Sequence, residues 1–366
     1  MSHTHETEQE AEGQLGPASR PRSRRRRFLR AIAATAAALS LAAVALTGLA
    51  AWQNTYDLRE EHVVIHTGGR ALNAVLALPH RGRGPFGVVV FVHGDGPIDA
   101  THDTFYRPMW EAFAQAGYAL LSWNKPGVGG SAGNWLDQSM ADRAAETADA
   151  IAWARTRPDL DGRRVGLWGA SQAGWVLPKV AATTPGIRFV IAVSPAINWL
   201  RQGRYNTLAE LADRGAPPAE RDAALARREA ALAVLRRGGT YADYRAAVPS
   251  DRAMTADRWH FISRNWASDA TSDLRAAGAR GVPTLLVLAG HDRNVDVAET
   301  ETVYRRELPP SSLQVEHYAQ ADHGLADLDV IRSETRAFLT AVFAPRSLFT
   351  PGYLDSLRTF TGRFNP

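Results

Sequence analysis

No cysteine occurs among the 366 residues. Disulfides, thiolate nucleophiles, cysteine-ligated zinc and iron–sulfur clusters are thereby excluded. Charge of one sign is scarce where it would matter for nucleic acid. The formal net charge is +4, but seven arginines and four glutamates fall within residues 1–50, and the remainder is near neutral. A phosphate-tracking protein needs a basic stripe on its folded part, so nucleic acid is not an expected partner. No internal repeat is visible. His102, Asp103 and His291 lack a metal-ligand spacing, and no His-Glu-x-x-His pattern occurs, so no metal site is expected. What is present is ordinary globular composition, 45% hydrophobic and 22% charged. The length suits one large α/β domain or two smaller ones, with a core that needs no staples.

Residues 1–30 read as a disordered basic segment that ends in Arg24-Arg25-Arg26-Arg27-Phe28-Leu29-Arg30. Residues 31–52 follow as an uncharged, alanine-rich run. As a helix at ~1.5 Å per residue, such a run reaches roughly 33 Å, about one bilayer core. Positive charge before an apolar stretch is the pattern of an export signal or a membrane anchor. The paired arginines before Phe28-Leu29 resemble a twin-arginine export signal. A small-residue cleavage site falls near Gly48-Leu49-Ala50-Ala51. An uncleaved anchor fits equally well, and either engages the membrane or the export machinery. A helix buried in the folded domain is the bland alternative, and the arginine cluster suits it poorly.

From about residue 60, strand-like and helix-like segments alternate, which predicts a mostly parallel sheet with helices on its faces. Gly87 to Val92 is a continuous apolar run, as for a strand buried on both sides. Residues 197–278 break the rhythm with helical patterns alone and read as an inserted helical lid. Strand patterns resume with Val282–Leu288 and Leu313–His317, and one closing helix is expected over Leu328–Phe343. The expected division is a core in two parts, 53–196 and 279–343, around that lid, with 344–366 as a tail on the surface.

Three segments carry chemistry. Gly169-Ala170-Ser171-Gln172-Ala173-Gly174 lies between a strand pattern and a helical segment. A serine there sits on a sharp turn that lifts its hydroxyl off the sheet end, and small neighbours relieve the crowding. The usual pattern is Gly-x-Ser-x-Gly; here Ala173 takes the last position and Gly174 follows. Standing alone, the segment also reads as a glycine-rich helix cap. Ser171 needs a base. His323, in Ala321-Asp322-His323-Gly324, follows the final strand through a short loop and is favoured over His317, which lies within that strand. The base needs an acid. Gly290-His291-Asp292-Arg293-Asn294-Val295-Asp296 supplies Asp292 directly off the preceding strand, whereas Asp296 suits the cap of the next helix.

An oxyanion requires backbone N–H donors. Gln172 N–H is one candidate. The loop His93-Gly94-Asp95-Gly96-Pro97, after the strand ending at Val92, offers Asp95 N–H, with Gly96 next. Lys125 and Asn124, in the glycine-rich loop Asn124–Asn134, are candidates for substrate contact, though loop structure is their commoner role. Trp259, Phe261 and Trp266 are candidates to line a substrate pocket; packing of the lid is the alternative. Trp135, Trp168 and Trp175 share that ambiguity.

The segments His93–Pro97, Asn124–Ser131, Gly169–Gly174, Gly290–Val295 and Asp322–Leu325 together resemble the α/β-hydrolase superfamily. Within it the chain is similar to bacterial dienelactone-hydrolase-like and prolyl-oligopeptidase-like esterases. The resemblance covers about residues 60 to 343, apart from the lid. It implies an α/β-hydrolase fold with an eight-stranded sheet, a Ser171-His323-Asp292 triad, and hydrolysis of a small-molecule ester through an acyl-enzyme with no cofactor. Thioesterase, acyltransferase or small-peptidase activity uses the same triad and stays open, although a gating propeller would need far more residues upstream. A catalytically inactive, envelope-anchored binding module is the reading from another class. The pattern sets neither natural substrate nor oligomeric state.

Overall fold

The computed structural model describes residues 22–249 and 254–365. It divides into two units, Met1–Trp52 and Gln53–Pro366. The described residues of the first unit lie on one helix, α1 (Arg22–Gln53). An 18-residue window within Arg26–Gln53 has a mean hydropathy of 2.0, and the helix is long and apolar enough to cross a membrane.

The second unit is built on eight strands: β1 (Leu58–Thr67), β2 (Arg70–Pro79), β3 (Phe86–Val92), β4 (Tyr118–Trp123), β5 (Leu160–Ala170), β6 (Ile187–Val193), β7 (Thr284–His291) and β8 (Leu313–Asp322). Their order is β1-β2-β4-β3-β5-β6-β7-β8. β2 runs antiparallel to β1 and β4, and every later pairing is parallel. Alternation along β3 explains the two cores. Val88 and Val90 point into one apolar layer, while Val89 and Phe91 point into the other. The connecting helices that cover these faces are α2 (Arg107–Gln115), α3 (Met140–Arg155) and α4 (Leu177–Thr183).

Between β6 and β7 lie α5 (Trp199–Asp213), α6 (Pro218–Arg236), α7 (Tyr241–Ala247), α8 (Ala256–Asn265) and α9 (Thr271–Ala279). The first four are the helices expected to form a lid, and α6, α7 and α8 share a small core of their own in Val234, Leu235, Tyr244, Val248 and Trp259. The expected lid boundary at 278 needs correction. Leu274 and Ala277 of α9 join the sheet core beside Val180 of α4, so α9 is the crossover helix of the parallel β6–β7 pair. A parallel pair requires such a helix against the sheet, and its short pattern merged with the lid in sequence.

After β7 come α10 (Val297–Glu307), α11 (Leu328–Ile331), α12 (Glu334–Phe343) and α13 (Tyr353–Gly362). The single expected closing helix is two, because Ser333 accepts from Arg336 N at 3.3 Å and starts α12 afresh. The segment 344–365 does not pack on the surface alone, contrary to expectation. Tyr353, Leu357 and Phe360 of α13 are buried in the same core as Trp110 and Phe113 of α2. Three apolar side chains at helical spacing outweigh the proline and glycine that suggested a tail.

Candidate active site

Ser171 follows β5 directly and opens a short 3-10 turn, Ser171–Trp175. Its φ is 56°, a left-handed value that costs a non-glycine residue energy. The neighbours are as small as the turn demands. A methyl on Gly169 would stand 2.7 Å from Ala173 Cβ and 2.9 Å from Val92 O. Alanine is therefore accepted at 173 because 169 has no side chain. Gly174 lies against the backbone of Ala196 with no room for a Cβ.

β8 runs on to Asp322, beyond the His317 at which it was expected to end. His323 thus leaves the strand at once, with no intervening loop. Asp322 Oδ1 accepts from Gly324 N at 2.9 Å and Ala326 N at 2.8 Å and folds the turn that presents the imidazole. Burial raises the Asp322 carboxyl above its ordinary range, and those two N–H groups oppose the rise. His323 Nδ1 lies 2.7 Å from Asp292 Oδ2. The other oxygen, Asp292 Oδ1, accepts from Asn294 N and Val295 N, each at 2.8 Å. The Asp292 carboxylate is fully buried and aimed at the His323 ring. Asp296 caps α10 by accepting from Ala298 N and Glu299 N. His317 is half exposed and pairs with Glu301 at 2.9 Å.

Gly94 is packed beside the serine; a methyl there would stand 3.5 Å from Ser171 Cβ. Gln172, as an early residue of a helical turn, has a backbone N–H with no intrahelical acceptor. The side chains of the candidate oxyanion residues are tied together, since Gln172 Nε2 donates to Asp95 Oδ1 at 3.0 Å. Arg258 of α8 reaches Asp95 through two bonds, 2.9 and 2.6 Å. Burial, the largest single influence, raises the Asp95 carboxyl, but the hydrogen bonds and charge of Arg258, with Lys125 and Gly96 N–H, together hold the group below its usual range. The lid also grips the acid loop: Tyr205 donates to Asp292 O at 2.8 Å, and Gln202 to Asn294 O at 2.8 Å.

Two cavities meet at Ser171. One, of about 270 Å³, is lined by Ser171, His323, Gly94 and Asp95 and walled by Phe105, Tyr106, Met109, Trp168 and Tyr353. The other, about 390 Å³ and more polar, lies under the lid with Trp175, Trp199, Arg228 and Arg258 beside Ser171 and Gln172.

The aromatic residues named for the pocket lie elsewhere. Trp259 stacks on Tyr244 within the lid at 4.6 Å between ring centroids. Phe261 packs against Trp135 and Trp199, and Trp266 packs against the lid core. None lines either cavity that holds Ser171. α8 is amphipathic and turns these apolar residues inward to hold the lid, leaving Arg258 to face the site. Trp168 and Trp175 do line cavities.

Sequence reasoning missed a buried polar cluster behind the loop 93–96. His93 Nε2 donates to Trp123 O at 2.6 Å, so Nδ1 accepts from Tyr106 OH at 3.2 Å. Burial drives its pKa down to about 3, and the neighbouring Lys125 adds to the fall. Lys125 Nζ donates to Gly94 O at 2.5 Å and Gly96 O at 2.8 Å. Asn124 serves its loop, accepting from Ala100 N and donating to Gly129 O. Arg143 donates to Gln172 Oε1 and His93 O, each at 2.5 Å. Glu146 accepts from Trp123 Nε1 and Gln138 Nε2, and burial raises its carboxyl. A signal was available: Arg143, Glu146 and Thr147 fall on the same stripe of α3 as Ala150, Ile151 and Ala154.

The strand order, with a serine on a strained strand–helix turn and a histidine–aspartate pair at later strand ends, defines an α/β-hydrolase. More narrowly, residues 68–318 match the model of the X-Pro dipeptidyl-peptidase (S15) family, and the chain belongs to that family. It is 30% identical over 113 residues to a thiohydrolase of Arthrinium phaeospermum, a match covering 30% of this chain and 37% of that protein. The chain thus spans little more than a third of that relative's length. Among solved structures it is similar to DcsB in complex with a substrate analogue, with a TM-score of 0.54 at 17% identity over 84% of this chain and 99% of that one. It is also similar to the ferulic-acid complex of Est1E from Butyrivibrio proteoclasticus, with a TM-score of 0.51 at 14% identity over 82% and 97% of the two chains. At such identities the likeness concerns the fold.

Proposed function

We propose that the chain is a serine-dependent carboxylic-ester hydrolase acting on a small or medium apolar acyl group. The observation that carries this reading is the His323–Asp292 pair at 2.7 Å, with His323 and Ser171 on one cavity. Ser171 Oγ attacks the ester carbonyl carbon and passes its proton to His323 Nε2. The carbonyl π pair moves onto oxygen, which accepts from the N–H groups of Gln172 and Asp95, with Gly96 next. Collapse breaks the ester C–O bond, and the alcohol leaves with the proton from His323. Water, deprotonated by His323, then frees the acid and restores Ser171. Asp292 holds the Nδ1–H throughout. The acyl group occupies the 270 Å³ chamber, whose walls are apolar and aromatic.

A second reading follows from the family name. Dipeptidyl cleavage would bring a free α-ammonium to the site, which calls for an unpaired carboxylate. Asp95 is the acid lining both cavities, and Arg258 already holds it. Cationic Arg228 and Arg258 line the larger cavity, so the ester reading is favoured. On the same proposal, α1 is an export signal or anchor that places residues 53–366 outside the cytoplasm.

The test is hydrolysis of p-nitrophenyl esters of increasing acyl length, with glycyl-prolyl-p-nitroanilide beside them, by the full chain and by Ser171→Ala. Ester turnover with a short-to-medium optimum is expected, and Ser171→Ala should lower kcat by about 10⁴–10⁶. Faster anilide cleavage would select the peptidase reading. A variant that kept most of its turnover would remove Ser171 from the mechanism.

A further inference from the structure

Two cations are buried behind the loop 93–96, and the acyl-transfer steps above use neither. Lys125 and Arg143 are 2% and 5% exposed. Among the described residues neither makes an ion pair with a carboxylate within bridging distance. Burying a cation without such a partner is costly, so its contacts reveal what the cost supports. Lys125 Nζ donates to the carbonyls of Gly94 and Gly96. Arg143 donates to the carbonyl of His93 and to the side chain of Gln172. Every acceptor lies on the loop or on the two residues whose N–H groups are proposed to hold the oxyanion.

We infer that Lys125 and Arg143 are positioning residues that set the oxyanion hole, turning the peptide N–H groups of the 93–96 loop towards Ser171 and placing positive charge behind the developing oxyanion. This rests on the acyl-transfer reading of Ser171. In a trans peptide the carbonyl and the N–H point in opposite directions. A cation on Gly94 O therefore fixes the plane of the Gly94–Asp95 peptide and directs Asp95 N–H the other way. It also draws electron density from that peptide, which strengthens the N–H as a donor. Arg143 does the same for the His93–Gly94 peptide. Through Gln172, which bonds in turn to Asp95, it locks the two donor segments together. Gly94 lies beside the serine, its Cβ position 3.5 Å from Ser171 Cβ, so the peptides that these cations hold border the nucleophile. Charge fixed beforehand at such a place acts mainly on the transition state, because the substrate carbonyl is neutral until attack.

The test uses the full chain, with rates expressed per site that a fluorophosphonate labels. Lys125→Gln keeps amide donors for the two carbonyls and removes the charge. Its kcat should fall about 10- to 100-fold with KM within about threefold. Affinity for a trifluoromethyl ketone, which forms an oxyanion adduct with the serine, should fall in the same proportion. Affinity for the parent methyl ketone should hold. Arg143→Lys, which keeps the charge and loses the reach to two acceptors, gives the same comparison should Lys125→Gln fail to fold. A merely structural pair would weaken both ketones alike, or leave kcat per labelled site unchanged; either result overturns the inference while wild-type turnover leaves the esterase reading intact. A wild-type chain that neither turns over nor labels removes both.

Discussion

Ser171, His93 and Lys125 show how single residues carry strain or burial cost that only function or a fixed partner explains. The left-handed φ of Ser171 represents on the order of 1–3 kcal/mol held against the relaxed backbone. His93 is a separate case, because its pKa falls to about 3 inside the fold. Unfolded, the ring binds a proton near pH 6.5. Between those two values the unfolded chain carries a proton that the folded chain does not. Stability from this group is therefore full above about pH 6.5 and is lost as pH falls, by about 1.4 kcal/mol per unit. His93→Gln should flatten that part of the profile, as read by urea unfolding at several values between about pH 4 and 8. An unchanged slope would mean that other groups dominate acid sensitivity.

At the scale of elements, the lid is a self-packed unit tied to the site by polar contacts. α5 holds the 292–294 loop through Gln202 and Tyr205, and α8 holds the 93–96 loop through Arg258. The apolar side of α8 serves packing, with Trp259 in the lid's own core and Phe261 in the sheet core. Trp259→Ala should thus cost about 3–5 kcal/mol of stability, seen as a lowered denaturation midpoint, and leave the acyl-length profile of the surviving enzyme unchanged. A shifted profile would return Trp259 to the pocket. The strand ends were legible in the sequence because Ser171, Asp292 and His323 each follow an apolar run, and their order does not depend on side-chain packing. The chamber walls were not. Tyr106 precedes α2, Met109 lies within it and Tyr353 comes from α13, far apart in the chain, and nothing local marks their meeting. Arg143 and Glu146 were hidden because polar residues on a helix read by default as its wet face.

At the scale of the whole molecule, the last helix is part of the hydrolase core rather than an appendage. Tyr353 walls the acyl chamber, and its neighbours Leu357 and Phe360 seal the core over Phe113 and Phe189. A chain stopped after Pro351 would leave those rings in water. It should lose its cooperative melt and its ester turnover together, where a surface tail would cost neither; calorimetry and a p-nitrophenyl ester assay on the same sample decide between them. The timing of activity follows from this placement. A growing chain has made Ser171 and even His323 while its substrate chamber still lacks a wall. On the proposed function, synthesis must pass Tyr353 before the chamber can hold an ester, so a half-made chain would leave the acyl esters around it untouched.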